Sequence, residues 1–402
     1  MCLLLLFLLP AQFNTFFFIP DSIIHGIPID LLAPALYVTD ILIVVLIILN
    51  LPALIKASRV RRPHLMRKAL ILTLVSLFLI LNIATSLSPL ISVYKFLKVV
   101  ELIAIFWIIR TIKLNRNHVI SVFLAMALLQ LGLSLAQIIG GHSLQGIFYL
   151  LGERSFSLST PGIAKVSMQG VEILRAYGTF PHPNVLGGFY LLLYSFVLFT
   201  PSLSSQNRFG IQKNIFIITS TLLILFSFSK VAIFGFAVLT TFHVLRKKSS
   251  CMLCKLSSIM VPLALAGVFL LAQGDVETIG KRLWLATTSL MIIREHLFTG
   301  VGLGAYLIAQ GQFPIPYSYH FLQPVHNIFL LLLAELGIPL FSLLSYLLTQ
   351  LIVPLRKSPA IMAGLFVIAF IGMFDHYWLT IEQTMLLIPV VFGLMQRERG
   401  VI

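Results

Sequence analysis

The sequence has little charge. Asp, Glu, Lys and Arg make up only 10% of its 402 residues, whereas 59% are hydrophobic, and the mean hydropathy is +1.02. Because average soluble domains carry about 25% charged residues, this composition excludes a soluble globular protein. Apolar runs of roughly 17 to 25 residues, long enough to cross a bilayer as helices, recur from end to end. We therefore predict an all-α, polytopic integral membrane protein.

Cysteine is also scarce, which excludes a disulfide framework. The three cysteines are Cys2, Cys251 and Cys254. The spacing of Cys251 and Cys254 could suit zinc, but a structural zinc site needs a second pair of ligands. The N-terminal stretch MCLLLLFLLPAQFNTFFFIP lacks the basic region and small-residue cleavage site of a signal peptide. We interpret it as the first span, with a shorter first helix as the alternative.

Placing a helix in each apolar run gives about twelve membrane spans. They lie near residues 2–19, 31–53, 69–88, 91–109, 119–139, 184–201, 214–229, 231–245, 256–273, 327–349, 359–374 and 379–396. This topology places both termini on the cytoplasmic side. The whole chain, 1–402, is then one integrated membrane domain.

The distribution of basic residues supports this orientation. The formal charge of +15 could suggest nucleic-acid binding, but Lys and Arg are held on the cytoplasmic side of membrane proteins. Most of the 28 basic residues fall in the inner loops that the spans define. These are Lys56, Arg59, Arg61, Arg62, Arg67, Lys68, Arg110, Lys113, Arg116, Arg208, Lys213, Arg246, Lys247, Lys248, Lys255, Arg356, Lys357, Arg397 and Arg399. We expect no nucleic-acid partner, and a location in the cytoplasmic (inner) membrane.

Two outer segments, 140–183 and 274–326, are too long to be simple turns. Long loops in compact proteins tend to be functional or disordered, and both segments interleave apolar with polar residues. In the second, Leu283, Ala286, Leu290 and Ile293 recur at near-helical spacing. We expect short amphipathic helices at the outer surface in both segments.

The remaining cations lie near outer loops and helix ends: Lys95, Lys98, Arg154, Lys165, Arg175, Lys230, Lys281, Arg282 and Arg294. Lys230 interrupts the otherwise apolar stretch ILFSFSKVAIFGF. A charge there costs a few kcal/mol unless it faces a cavity or an anion, so it is a candidate functional residue. The alternative is a lysine at a tight outer turn that extends its ammonium to the interface.

His326 and Asn327 open the tenth span. Asn is a good helix cap, and a histidine at a membrane boundary is often only hydrogen-bonded there. Histidine can also take a proton from a sugar hydroxyl as that oxygen attacks, because its pKa lies near neutrality. Both interpretations remain open from these residues alone.

Other polar motifs give weaker signals. The stretch GVGLGAY at 300–306 follows no predicted strand and has no Lys-Ser/Thr after its glycines, so it fits no nucleotide-binding motif. Its glycines favour a tight turn and close backbone approach. Asp375 and His376 together are a weak metal signal without further ligands, and we expect them to form hydrogen bonds in a short loop.

Four stretches in this order and spacing resemble the O-antigen ligase and Wzy-type polymerase superfamily. They are RAYGTFPHPNVLGGFY, FSFSK, GKRLWLATTSLMIIREHLFTGVGLGAYL and HNIFLLLLAELGI. The resemblance covers about residues 140 to 396. It implies a GT-C-like membrane enzyme that moves a glycan from a polyprenyl diphosphate carrier onto a glycan, lipid or protein acceptor, outside the inner membrane.

The resemblance also implies roles for particular residues. The family arginine before a tryptophan matches Arg282, the family histidine matches His326, and an arginine at a span junction is replaced by Lys230. These three are the predicted catalytic residues. Predicted substrate-binding residues are Arg175, His182, Asn184, Lys281, Trp284 and Asn327.

In this scheme a ring of cations and helix N-termini holds the diphosphate, so neither a metal nor a cofactor is expected. His326 serves as general base, with inversion at the anomeric carbon. The alternatives are a polymerase that extends the glycan on its own carrier, and a transporter or flippase of lipid-linked sugars. The last is disfavoured because the outer cations cluster on one face.

Overall fold

A computed structural model describes residues 1–58, 65–168, 170–200, 208–246, 252–270, 277–317 and 321–397, and this part of the chain is mostly helical. The inner-loop cations Arg59, Arg61, Arg62, Lys247, Lys248 and Arg399, together with Cys251, lie outside the described residues.

Helices occur at nearly every predicted span. They are α1 (Cys2–Leu8), α2 (Val38–Ser58), α3 (Leu65–Ala84), α4 (Pro89–Thr111), α5 (Arg116–Gly140), α6 (Pro183–Phe199), α7 (Arg208–Phe226), α8 (Lys230–Arg246), α9 (Met252–Leu270), α10 (Glu277–Glu295), α11 (Tyr306–Gln310), α12 (Ile328–Ile352), α13 (Pro359–Gly372), α14 (Tyr377–Thr380) and α15 (Glu382–Arg397). Among the described residues, three stretches are long and apolar enough to cross a membrane: Arg116–Gly140, Arg208–Phe226 and Ile328–Leu355. Shorter apolar helices accompany them, so the chain is a helical membrane protein, while the count of about twelve spans remains a prediction.

The first predicted span is wrong. The helix α1 has only seven residues. Residues 14–37 instead form two small antiparallel sheets, in which β1 (Asn14–Phe16) pairs with β4 (Ala35–Tyr37) and β2 (Ile23–Ile24) pairs with β3 (Ile27–Pro28). Pro10 explains the break, because proline has no backbone N–H with which to continue the hydrogen bonding of the helix. A hydropathy count does not register that interruption.

The outer segment 140–183 also differs from expectation. It contains a 3-10 turn at Gly146–Leu151 and a hairpin of β5 (Lys165–Met168) and β6 (Val171–Leu174), and no amphipathic helix among its described residues. Val166 and Leu174 are buried, and Leu174 packs with Phe156 and Tyr177, whose ring centroids lie 4.6 Å apart. Strand alternation, with period two, therefore replaces the expected helical period.

The second outer segment does contain a helix, α10, as expected. Its Leu285 and Ile292 are buried, whereas Leu283 and Leu290 of the predicted apolar face are exposed.

Helix α6 lies at the centre of the bundle and is buried along nearly its whole length, with α7, α8, α13 and α15 against it. Gly188 allows this packing, because a methyl group there would overlap the Tyr377 hydroxyl. The contact brings the start of α6 beneath the loop between α13 and α14. That junction forms the site described next.

The glycine loop 300–304 packs against a break in α12. Gly337 has φ of +70° and interrupts the helix, so the carbonyls of Ala334 and Glu335 accept hydrogen bonds from Val301 N (2.9 Å) and Gly302 N (3.1 Å). A methyl group on Gly300 would overlap the Glu335 backbone. The predicted close backbone approach is confirmed.

Candidate functional site

The N-terminus of α6 brings three predicted residues together. His182 caps the helix, its Nδ1 accepting from Asn184 N at 3.1 Å, and Pro183 takes the first helical position, where no amide donor is needed. Arg175 donates from Nη2 to Asn184 Oδ1 at 2.6 Å and from Nε to Ser227 O at 2.8 Å. The arginine thereby ties the hairpin segment to α6 and to the end of α7.

Asn184 extends this series of hydrogen bonds from Arg175 to Asp375. Its Nδ2 donates to Asp375 Oδ2 at 3.2 Å, while Asp375 Oδ1 accepts from His376 N at 2.8 Å. Arginine has donors only, so the Asn184 oxygen must face Arg175 and its nitrogen must face Asp375. The order of donors and acceptors therefore requires an acceptor at position 375.

Two histidines lie beside Asp375. The His326 and His376 rings are 5.2 Å apart, and His376 Nδ1 is 2.8 Å from Thr380 Oγ1. His326 Nδ1 is buried and has no hydrogen-bond partner in the described part of the chain. Sequence reasoning gave Asp375 and His376 only a local hydrogen-bonding role. The signal for a larger role is their position at the end of a predicted span, as His326 lies at the start of another.

Burial sets the protonation of these groups. It lowers the pKa of His182 to about 3 and that of His376 to about 4, in both cases against the opposing effect of Asp375. Burial also lowers the pKa of His326, where Asp375 acts to raise it and Arg282 to lower it further. Burial alone would raise the Asp375 pKa, but His376, His326 and His182 hold it below its usual value. At neutral pH the site therefore contains a carboxylate and neutral imidazoles.

Arg282, on α10, acts electrostatically on both His326 and His376 and lowers the pKa of each. Its Nε is buried and makes no hydrogen bond with any described residue. Its neighbours on α10 point elsewhere. The Lys281 ammonium lies 5.7 Å from the Tyr317 ring centroid, and the Trp284 ring packs at 6.0 Å from the same ring.

Asn327 has the capping role that the sequence allowed. Its Oδ1 accepts from Phe329 N at 2.9 Å and from Leu330 N at 3.1 Å, while Nδ2 donates to Met373 O at 3.3 Å. These contacts fix the start of α12, and with it the neighbouring His326, against the end of α13.

The structure does not place Lys230 among the residues described above. It is the first residue of α8, it is exposed, and it follows a tight turn in which Phe228 has φ of +48°. This turn matches the alternative interpretation from sequence. The turn is nevertheless close to the site, because Ser227 in it accepts the hydrogen bond from Arg175.

A cavity of about 700 Å³ opens beside these groups. Its lining includes His182, Asn184, His326, Asp375 and His376. It also includes a second group, which we call the Lys95 end: Asn14, Asp30, Tyr37, Tyr94, Lys95, Lys98 and Glu382. This group comes mostly from the N-terminal half of the chain, and the sequence did not predict that it would share a cavity with the histidines.

Two groups of side chains in the described part of the chain have atoms close enough to hold a metal: His326, Asp375 and His376, and also Asp40, Glu101 and Glu382. Both Asp375 oxygens in the first group already accept hydrogen bonds. In the second, the Lys98 ammonium pairs with all three carboxylates, at 2.5, 3.4 and 3.2 Å. Metal independence remains a prediction.

Comparison with protein families gives a match. Residues 174–345 fit the family model described as O-Antigen ligase, and no curated protein matches the chain. The matched region contains every predicted site residue and stops before Asp375 and His376. The match bears out the resemblance to the O-antigen ligase and Wzy-type superfamily over these residues.

Proposed function

We propose that this chain, which carries an O-antigen ligase region at residues 174–345, is a glycosyltransferase using a polyprenyl diphosphate carrier as glycan donor. It transfers the glycan to the hydroxyl of a glycan, lipid or protein acceptor. The observation that carries the proposal is a neutral, half-buried His326 close to Asp375 at the wall of a cavity of about 700 Å³, with Arg282 acting on it electrostatically.

The chemistry follows from these protonation states. His326 takes the proton of the acceptor hydroxyl while its oxygen attacks the anomeric carbon of the donor glycan. The bond from that carbon to the diphosphate oxygen breaks, and the lipid diphosphate leaves with the electron pair. Asp375 stabilises the imidazolium that forms at His326. A single displacement inverts the anomeric centre.

The departing diphosphate gains negative charge, so fixed cations stabilise the transition state more than the ground state. Arg282 is a suitable cation for this role, because it acts electrostatically on His326 and its buried Nε has no hydrogen-bond partner among the described residues. Arg175 already uses Nε and Nη2 within the protein, which leaves Nη1 for the substrate. Lys230 would contact the diphosphate from the exposed turn. This set requires no metal.

The proposed setting is the cytoplasmic membrane, in a GT-C-like bundle of about twelve spans whose site faces away from the cytoplasm. The course of the helices supports this orientation. Helices α6, α12 and α15 begin at the site, and α12 and α15 run to ends that carry Arg356 and Arg397. Basic residues mark the cytoplasmic ends of membrane helices.

The test is transfer by the full-length protein in lipid nanodiscs, from a defined polyprenyl-diphosphate glycan to candidate acceptors. His326→Ala should lower the transfer rate about 10²- to 10⁴-fold and leave donor binding largely intact, as expected for loss of a general base. Near-normal turnover by that variant would remove His326 from the proposal.

Comparing the acceptors distinguishes a ligase from a polymerase and from a transporter. Product on a foreign lipid or protein acceptor indicates a ligase, and glycan growth on the donor's own carrier indicates a polymerase. Movement of the intact lipid-linked glycan across the bilayer without transfer would indicate a transporter and contradict the proposal.

A further inference from the structure

Lys95 presents to the cavity a cation that forms no ion pair with a described residue. It lies on α4, its side chain lines the cavity, and its stem packs against Gly304, where a methyl group would touch it. Its ammonium makes no hydrogen bond or ion pair with the residues that the structure describes, and its nearest aromatic partner is the Tyr94 ring at 5.7 Å. A charge withdrawn from bulk water without a partner is costly and is a functional candidate by default.

Lys98, one turn further along α4, shows the contrast. Three carboxylates surround it, so this lysine is ion-paired. Lys95 makes no such ion pair with a described residue, and Glu335 and Glu382 act on it only through space. The cavity is therefore lined by one paired lysine and one lysine without an ion pair among the described residues.

The remaining groups at the Lys95 end suit a sugar. Tyr37 and Tyr94 supply aromatic surface, and Asn14 and Asp30 supply hydrogen-bond acceptors and donors for hydroxyl groups. A small number of placed polar groups beside aromatic surface is typical of small-molecule sites. Because His326 lines the same cavity, a glycan bound here can bring a hydroxyl to the base.

We propose that the Lys95 end of the cavity binds the acceptor glycan and that Lys95 pairs with one anionic group on it, either a carboxylate or a phosphate. The inference rests on the proposed function and deepens it by naming the acceptor's chemistry. Asp30 and Glu382 line the same end, and they would repel the several negative charges of the donor diphosphate. A singly charged group suits one open ammonium.

Binding to the full-length protein in nanodiscs, measured by titration calorimetry, tests this without requiring catalysis. The probes are a disaccharide ending in glucuronic acid, the matching disaccharide ending in glucose 6-phosphate, and the neutral one ending in glucose. One charge-assisted hydrogen bond should make at least one acidic probe bind tenfold to about a hundredfold more tightly than the neutral probe.

Lys95→Met should abolish that preference, and Lys95→Arg should retain it. Lys165→Met is the matched control, because it removes one cation from an exposed pair with Glu172 on the hairpin and should change nothing. Whichever acidic probe binds more tightly identifies the source of the charge. Equal binding of charged and neutral probes, or no binding of any probe, overturns the inference.

Inorganic pyrophosphate is the last probe in these binding measurements, and it stands in for the donor diphosphate. If its binding depends on Lys95, the lysine belongs to the donor site and the inference is wrong. Failure of the proposed function is a separate result, namely movement of the intact lipid-linked glycan across the bilayer without transfer, and it leaves these binding measurements readable.

Discussion

Asp375→Asn is the substitution for which the structure gives the sharpest expectation. It keeps the size of the side chain and replaces one acceptor oxygen with a donor. Both native oxygens accept, from Asn184 Nδ2 at 3.2 Å and from His376 N at 2.8 Å, so the new amide group must meet a donor in either orientation. Asn184 cannot turn over in compensation, because its oxygen accepts from Arg175 at 2.6 Å.

The cost has two parts. One charge-assisted hydrogen bond contributes about 1.5–3 kcal/mol, which corresponds to a tenfold to roughly hundredfold change in rate if it acts on the transition state. The variant also removes the negative charge that raises the pKa of His326, so that pKa falls further below its ordinary value of 6.5. The base then stays deprotonated to lower pH but is weaker, and its imidazolium lacks support.

The assay is the transfer rate from pH 4.5 to 8.5 at matched amounts of folded protein. In the wild type the rate should be level near neutrality and fall only below pH 6.5, because protonation of His326 removes the base. In Asp375→Asn the plateau should drop and the acid limb should move to lower pH. Glu172→Gln removes an equivalent charge from the exposed hairpin and should match the wild type.

Thr380→Val removes the hydroxyl partner of His376 without a change of charge, so it should leave the acid limb in place. A wild-type plateau together with a wild-type acid limb in Asp375→Asn would refute the reasoning. A lower plateau with an unmoved limb would confine Asp375 to positioning Asn184.

Two further predictions concern the donor. If Lys230 binds the carrier diphosphate, Lys230→Arg should keep substantial activity while Lys230→Gln loses roughly tenfold to a hundredfold in donor use, measured as rate against donor concentration. A glutamine variant equal to wild type would assign Lys230 to the exposed turn alone. Treatment with EDTA should leave transfer unchanged, since cations of the protein replace a metal. Activity that is lost with EDTA and restored by Mg²⁺ or Mn²⁺ would point to His326, Asp375 and His376 as ligands.

The helical positions were largely predictable, because a span needs only an apolar run of sufficient length. The predicted run at 119–139 coincides with Arg116–Gly140, and that at 359–374 with Pro359–Gly372. At 2–19, Pro10 ends the helix well before the predicted span does. At 140–183, a hairpin forms where amphipathic helices were expected. Hydropathy averages over residues and does not register a single Pro10.

The site was predicted in part, for a different reason. His182, Asn184 and His326 could be singled out because polar residues at helix starts are conspicuous beside apolar spans. Their connection to Asp375 depends on the packing of α6 under the α13–α14 loop, which no local pattern encodes. Lys95 and Lys98 lie three residues apart, and Glu101 at i+3 of Lys98 is the local sign that separates them. The other two partners of Lys98, Asp40 and Glu382, are distant in sequence and depend on tertiary placement.

The break in helix α12 shows that residues 174–345 depend on contacts with earlier parts of the chain. The outer part of α12, which presents His326, completes its backbone hydrogen bonding with the glycine loop and with Asn82 of α3, whose Nδ2 donates to Thr299 O at 2.7 Å and Glu335 O at 2.8 Å. Asn82 lies far before residue 174, where the family match begins. The region that carries the family signature is therefore not a transplantable module. Exchange of 174–345 between relatives would succeed only where the recipient supplies an equivalent amide from its own early helices.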